Sequence, residues 1–132
     1  MPDMNNTFPT EENLSGLNRK DFQKDIDDKQ TDLFILKNKK GMEVAVTNYG
    51  CAILSIMVPD KNGKYANVIL GHDSIDHVIN SPEPFLSTTI GRYGNRIAKG
   101  KFTLYAEEHS LTINNGPNSL HGGPTGFHAR VW

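Results

Sequence analysis

The residues able to do chemistry gather between Ile90 and Gly123, a stretch that reads IGRYGNRIAKGKFTLYAEEHSLTINNGPNSLHGG. Its first cluster, Gly91-Arg92-Tyr93-Gly94-Asn95-Arg96, sets two guanidinium groups and an amide among glycines that let one backbone approach another. The second, Asn114 to Gly123, is a long turn whose histidine, His121, is followed by Gly122 and Gly123, so no side chain there crowds an approaching ligand. Arg96 offers five donors on a planar fork and stays charged at any accessible pH. A hydrogen bond from a charged donor contributes roughly 1.5–3 kcal/mol, against about 1 kcal/mol for a neutral pair, which suits a hydroxyl-rich ligand. Arg92 stands four residues earlier and joins Arg96 on one side of the chain if the segment is extended. Asn95 has two uses open to it, as a turn residue holding its own backbone or as a ligand amide that also steadies Arg96. Imidazoles exchange protons near neutral pH, which makes His121 the best single candidate for acid–base work.

These groups need a scaffold that brings two loops to one end. Between the clusters, Lys101 to Tyr105 and His109 to Ile113 alternate with period two, and Ala106-Glu107-Glu108 is expected to turn the chain between them. An antiparallel hairpin of that length delivers Arg96 and His121 to one small molecule. The rest of the chain is also strand-rich. Thr31 to Leu36, Met42 to Tyr49, Cys51 to Val58 and Tyr65 to Leu70 read as strands, separated by Lys37 to Gly41, Gly50 and the Pro59 to Lys64 turn. Near-continuous apolar residues over Cys51 to Val58 predict a strand covered on both faces. Phe85 to Ile90 is expected to extend into the Gly91 loop. One short helix, Ile75 to Ile79, has Asp73 or Ser74 to cap it and Ile75, Val78 and Ile79 on one side. Lys20 to Ile26 predicts a helical turn or two. Residues 1–30 form a polar arm that docks through Leu17 and Phe22, and 31–132 form the body, an antiparallel sandwich or barrel.

Composition narrows the partners. With 14 basic and 15 acidic residues the net charge is -1, so there is no long-range field to collect nucleic acid or anionic lipid. No apolar run is long enough to span a membrane and the start has neither a basic end nor an apolar core, which predicts a cytoplasmic protein. The single cysteine, Cys51, excludes an internal disulfide. No HxH, HExxH or CxxC occurs, so no metal site is expected. GxGxxG and GK[ST] are missing as well, so neither a nucleotide nor another cofactor is expected. His121-Gly122-Gly123 is similar to the oxyanion loop of esterases, but their GxSxG elbow is missing. The residues by themselves therefore imply a β-rich domain with a polar pocket for a neutral, hydroxylated small molecule. They do not specify a reaction.

Two separated motifs in order carry a resemblance that does. Gly91-Arg92-Tyr93-Gly94-Asn95-Arg96-Ile97-Ala98-Lys99-Gly100, then Asn118-Ser119-Leu120-His121-Gly122-Gly123 and Gly126-Phe127, resemble the aldose 1-epimerase (galactose mutarotase) family. The likeness extends back through Asn48-Tyr49-Gly50, Val58-Pro59-Asp60 and Leu70-Gly71, covering nearly all of Thr31 to Trp132. It implies an all-β, antiparallel β-sandwich (supersandwich), of which this chain is the N-terminal part. The abrupt ending Phe127-His128-Ala129-Arg130-Val131-Trp132 fits that expectation.

The resemblance further implies that the complete protein interconverts the α and β anomers of free hexoses such as galactose and glucose, with no cofactor. Asn95 and Arg96 then bind sugar hydroxyls, and His121 contacts the sugar near its ring oxygen, which makes it this segment's catalytic candidate. Arg92 is a further possible substrate-binding residue. The family's general acid, carboxylate base and hydroxyl-holding aspartate lie beyond Trp132 in family order. The implied partners are a small sugar and either the missing C-terminal portion of the same protein or a second copy meeting exposed strands. A binding module that holds a carbohydrate or sugar phosphate without turning it over is the alternative, kept open by the paired arginines.

Overall fold

A computed structural model describes residues 13–132, so residues 1–12 of the expected arm lie outside the described part. The described arm is anchored by one aromatic side chain. Phe22 ends a 3-10 turn, Arg19–Phe22, that Asn18 caps by accepting from the Lys20 N–H, and its side chain is fully buried. Thr31, also fully buried, holds that segment from the other side: its hydroxyl donates to the Phe22 carbonyl at 2.7 Å and accepts from the Lys24 N–H at 3.0 Å. Where a longer helix was expected, Asp25–Ile26 (β1) instead pairs with Lys29–Gln30 (β2). The turn between them uses Asp27 and Asp28 at φ 50 and 59, a left-handed pair that ends any helix and suits a two-residue hairpin.

The body is a four-stranded antiparallel sheet in sequence order: Leu33–Lys37 (β3), Glu43–Thr47 (β4), Ile53–Pro59 (β5) and Tyr65–Asn67 (β6). Strand β4 buries Glu43, Ala45 and Thr47, while Val44 and Val46 are half-buried, so the polar-looking face is the better covered one. Glu43 is accommodated because its carboxylate accepts from the Leu14 N–H at 2.7 Å and lies 3.8 Å from the Lys37 ammonium. Strand β5 is not covered on both faces as its apolar run predicts, since Ile53 is exposed and Ile56 and Val58 are half-buried; a register shift at Ala45/Val46 sets Ala45 opposite Ser55 and Val46 opposite Ile53. The extra residue, Leu54, lets Leu54 and Ser55 both point into covered space, which strict alternation forbids.

Helix α1, Ile75–Ile79, forms where its pattern predicts, with the Ser74 hydroxyl accepting from the His77 N–H. Ile75 and Val78 lie against Phe22, Leu33, Ala45, Ala52 and Leu54, so the core is built jointly by arm, sheet and helix. An Arg19–Asp32 ion pair braces the arm, its Nε donating to Oδ1 at 2.8 Å and its Nη2 to Oδ2. Partial burial pushes the Asp32 carboxyl up, but the bonds from Arg19 and the Leu33 N–H outweigh it and hold the group below its ordinary value. No helix among the described residues is long and apolar enough to cross a membrane.

The remaining strands form three-dimensional links to the site: Arg96–Ile97 (β7) pairs with Ser119–Leu120 (β10), and Lys101–Leu104 (β8) pairs with Glu107–Ser110 (β9). The β8–β9 hairpin is present in the predicted region with a different turn. Tyr105 and Ala106 occupy it at φ 51 and 65, and Glu107 and Glu108 belong to the returning strand. A two-residue turn with both φ positive matches the right-handed twist of the arms, which a longer loop does not require. Because Phe22 is fully enclosed, Phe22→Ala is expected to lower stability by about 3–5 kcal/mol, read as a shift in denaturant midpoint with an unchanged m-value. A loss below about 1 kcal/mol would show that the arm is not part of the cooperative unit.

Candidate functional site

Asn95 and His121 hold each other through two reciprocal bonds. The His121 N–H donates to the Asn95 carbonyl at 3.0 Å, and the Asn95 N–H donates to His121 Nδ1 at 2.9 Å. An Nδ1 that accepts leaves the ring proton on Nε2, so His121 presents an N–H donor to whatever approaches its half-buried ring. Both residues lie in the left-handed region, Asn95 at φ 58 and His121 at φ 52. Asparagine tolerates that conformation by local hydrogen bonding, whereas histidine there is held by its surroundings.

Arg96, the next residue, opens β7, its backbone paired opposite Leu120. Its Nε donates to Asn115 Oδ1 at 2.9 Å and its Nη1 to Asn95 Oδ1 at 3.3 Å, so two amides set the plane of the guanidinium and leave other N–H groups on an exposed face. Asn95 therefore bridges the two candidates, touching the imidazole with its backbone and the guanidinium with its side chain. The long turn that supplies Asn115 is itself ordered by amides. Asn114 accepts from the Leu120 N–H at 2.7 Å and donates to the Leu120 carbonyl at 3.0 Å, while Asn118 accepts from the Lys99 N–H at 3.2 Å.

Arg92 is drawn elsewhere. Its guanidinium lies over the Phe127 ring, 5.6 Å from the centroid, and Phe127 packs edge-on to Trp132 at 5.0 Å. The path from Gly91 to Arg96 bends through Asn95, so the extended spacing that would align the two arginines does not hold.

Residues outside the motifs complete the surroundings. Phe85 was expected in an extended run, but the chain turns there, with the Leu86 N–H donating to the Glu83 carbonyl and Ser87 at φ 56. That turn lays the Phe85 ring against two imidazoles, its centroid 4.8 Å from that of His121 and 4.6 Å from that of His128. His128 is 6% exposed, and its Nδ1 has no hydrogen-bond partner. Burial above all pushes the His128 imidazole below its ordinary value, and a positive charge on His121, were it protonated, would push it the same way, so it stays neutral. Neither Phe85 nor Asn115 was legible as a site residue: an isolated phenylalanine after a proline pair and one asparagine among three in a turn carry no distinguishing spacing. Among the described residues no group of histidines, cysteines and carboxylates is arranged to hold a metal ion. The Cys51 thiol, raised by burial, lies in the β4–β5 turn and not in this cluster.

The fold and site together define a class: an antiparallel β protein with a guanidinium, amides and an imidazole N–H gathered where two glycine-rich loops meet. The aldose 1-epimerase family model matches residues 32–132. The chain belongs to the aldose 1-epimerase family. It is 43% identical over 91 residues to bovine (Bos taurus) galactose mutarotase, an overlap covering 69% of this chain and 26% of that protein. It is 38% identical over 100 residues to Escherichia coli aldose 1-epimerase, covering 76% and 29%. Solved structures agree: the GalM/aldose epimerase homologue from C. elegans superposes with a TM-score of 0.72 at 33% identity, covering 77% of this chain and 31% of that one. Galactose 1-epimerase from Lactobacillus acidophilus gives 0.68 at 33% identity, covering 83% and 31%. The chain thus spans roughly a quarter to a third of the length of these relatives.

Two outcomes follow from this geometry. At Gly122, φ is 86 and an added Cβ would collide with the Gly91 carbonyl oxygen, so Gly122→Ala is expected to cost about 1–3 kcal/mol and to disturb the His121 ring signals in NMR. Retained signals and stability would refute the close approach. Because His128 is depressed in the folded state, the unfolded chain binds more protons, and stability is lost as pH falls below the reference value of 6.5 toward the folded value. Thermal midpoints measured across that window should fall less in His128→Phe than in the parent protein; equal slopes would contradict a buried neutral His128.

Proposed function

We propose that this chain is the sugar-binding front portion of an aldose 1-epimerase acting on free hexoses such as galactose and glucose. The single observation carrying this is the mutual locking of Asn95 and His121, which fixes an Nε2–H donor beside a guanidinium already oriented by Asn95 and Asn115. Such donors recognise hydroxyl and ring oxygens without needing a ligand charge. Arg92 lies over the Phe127 ring instead of beside Arg96, which favours a neutral sugar over a sugar phosphate.

In the reaction, the anomeric hydroxyl loses its proton as the ring oxygen gains one, and the hemiacetal opens. The free aldehyde rotates about C1–C2 and recloses from its other face. Arg96 and Asn95 orient the sugar, and His121 donates from Nε2 toward an oxygen at the reacting end. The family resemblance assigns the base and the principal acid to a further portion of the polypeptide, and among the described residues no carboxylate bonds to Asn95, Arg96 or His121. The same portion is the proposed partner for the apolar side chains left in solvent, including Leu36, Val68 and Leu70. A cytoplasmic setting goes with this reading.

Polarimetry with freshly dissolved α-glucose and α-galactose tests the function. The complete protein should accelerate mutarotation, while this chain alone at equal concentration should remain near the spontaneous rate, since acid and base groups each contribute about 10²- to 10⁴-fold. Equal turnover by the two would overturn the division of labour, and no acceleration by the complete protein would overturn the enzyme. Arg96→Ala in the complete protein should raise KM more than it lowers kcat, by at least about tenfold, because its bonds orient the bound sugar in ground and transition state alike.

A further inference from the structure

His128 takes no part in the chemistry described above, yet it is almost wholly buried in the same cluster. Its position is set from both sides by backbone. The Phe127 N–H donates to the Gly91 carbonyl at 3.2 Å, and a Cβ on Gly126 would stand 2.8 Å from the His121 carbonyl oxygen, so the turn Phe127–Ala129 starts directly against the His121 loop. Its other end is fastened to the sheet: the Gly50 N–H donates to the Arg130 carbonyl at 2.7 Å, Tyr49 bridges to Val131, and Gly50 packs on the His128 carbonyl oxygen. The His128 ring thus hangs from a strut between the β4–β5 turn and the His121 loop.

His121 has a complementary need. Its Nδ1 is held by the Asn95 N–H, but a single bond to one ring atom leaves the imidazole free to tip about that contact and swing Nε2 away from the ligand. Phe85 supplies the second restraint, with ring centroids 4.8 Å apart and planes inclined at 60°. Phe85 is itself only half-buried and lies on a turn, so it requires a backstop. The ring packed against it from the end of the chain is His128, 4.6 Å away at 61° in an edge-to-face contact.

We infer that His128, acting through Phe85, is a positioning residue that sets the tilt of the His121 ring and hence the direction of its Nε2–H donor. The inference rests on the proposed sugar-binding role of His121 but has its own readout. A neutral ring is required, because an imidazolium wedged at a buried aromatic edge with an unpartnered nitrogen would be desolvated without compensation, and burial keeps His128 neutral.

The test is a double-mutant cycle on Phe85 and His128 in the complete protein, read in two ways. Long-range 1H–15N NMR follows the His121 ring nitrogens, and equilibrium titration with galactose follows affinity. His128→Ala and Phe85→Ala should each broaden or shift the His121 signals and weaken galactose binding by about tenfold, and the double variant should lose little more than either single one. His128→Phe, which keeps an aromatic edge against Phe85, should restore both readouts even where its thermal midpoint differs from that of the parent. Unchanged His121 signals in His128→Ala, additive losses in the double variant, or failure of His128→Phe to rescue while folding normally would each overturn the inference. If the parent protein binds no hexose, the proposed function fails, and the NMR cycle still decides whether His128 and Phe85 orient His121.

Discussion

Three stretches of bare backbone meet at the carbonyl of Gly91, and the site depends on their contact. A side chain on Gly122 would strike that oxygen, one on Gly126 would come within 2.9 Å of it, and one on Gly91 itself would enter the Phe127 ring. Close-packed backbone of this kind has no soft degree of freedom through which a methyl group could be absorbed. It brings the Asn95–Arg96 segment, the His121 loop and the chain after Gly126 into one place. Every later feature follows from that meeting: the paired bonds of Asn95 and His121, the left-handed backbone of both residues and the placement of His128 behind Phe85.

The large sheet serves this arrangement at a distance. Its β4–β5 turn, with Gly50 and Cys51 both at positive φ, accepts the returning chain through the Gly50 to Arg130 bond and the Tyr49–Val131 bridge. Asn48 ties the same corner together, accepting from the Asp32 N–H at 2.8 Å and donating to the Gln30 carbonyl at 3.1 Å. The corner is therefore shared by the start, the middle and the end of the described chain. A core centred on Phe22 stabilises the sheet, while the site itself is held mainly by hydrogen bonds and aromatic edges. That division suits a binding surface, where polar groups must be held still and yet remain open to a ligand.

Asparagine does much of the holding. Asn114 clamps Leu120, Asn115 orients Arg96, Asn118 receives the Lys99 N–H, and Asn95 joins the imidazole to the guanidinium. An amide can donate and accept at once without carrying charge, so it can order a loop beside a cation without neutralising that cation. The Arg96 fork is oriented by neutral amides as a result. A carboxylate in the place of Asn115 would instead form an ion pair with Arg96 and compete with any hydroxyl.

Local chemistry made part of this legible from residues alone. Ser74 before Ile75-Asp76-His77-Val78-Ile79 specifies a capped turn of helix because the cap and the apolar spacing are near neighbours in sequence. The β8–β9 arms were readable for the same reason, by their alternation, and the two glycine-rich motifs identified the family. Tertiary structure decided the rest. Which face of β4 is buried depended on a bulge opposite Leu54 and on the Leu14 N–H meeting Glu43, both set by distant chain. Separating Arg92 from Arg96 needed the bend at Asn95 and the Phe127 ring from the far end of the sequence. The direction of the His121 donor depended on a backbone N–H at Asn95 and on an aromatic edge from Phe85. Spacing along a chain can state which groups are available; the orientation of a ring or a guanidinium is a property of the contacts on all its sides, and those exist only once the chain has closed on itself.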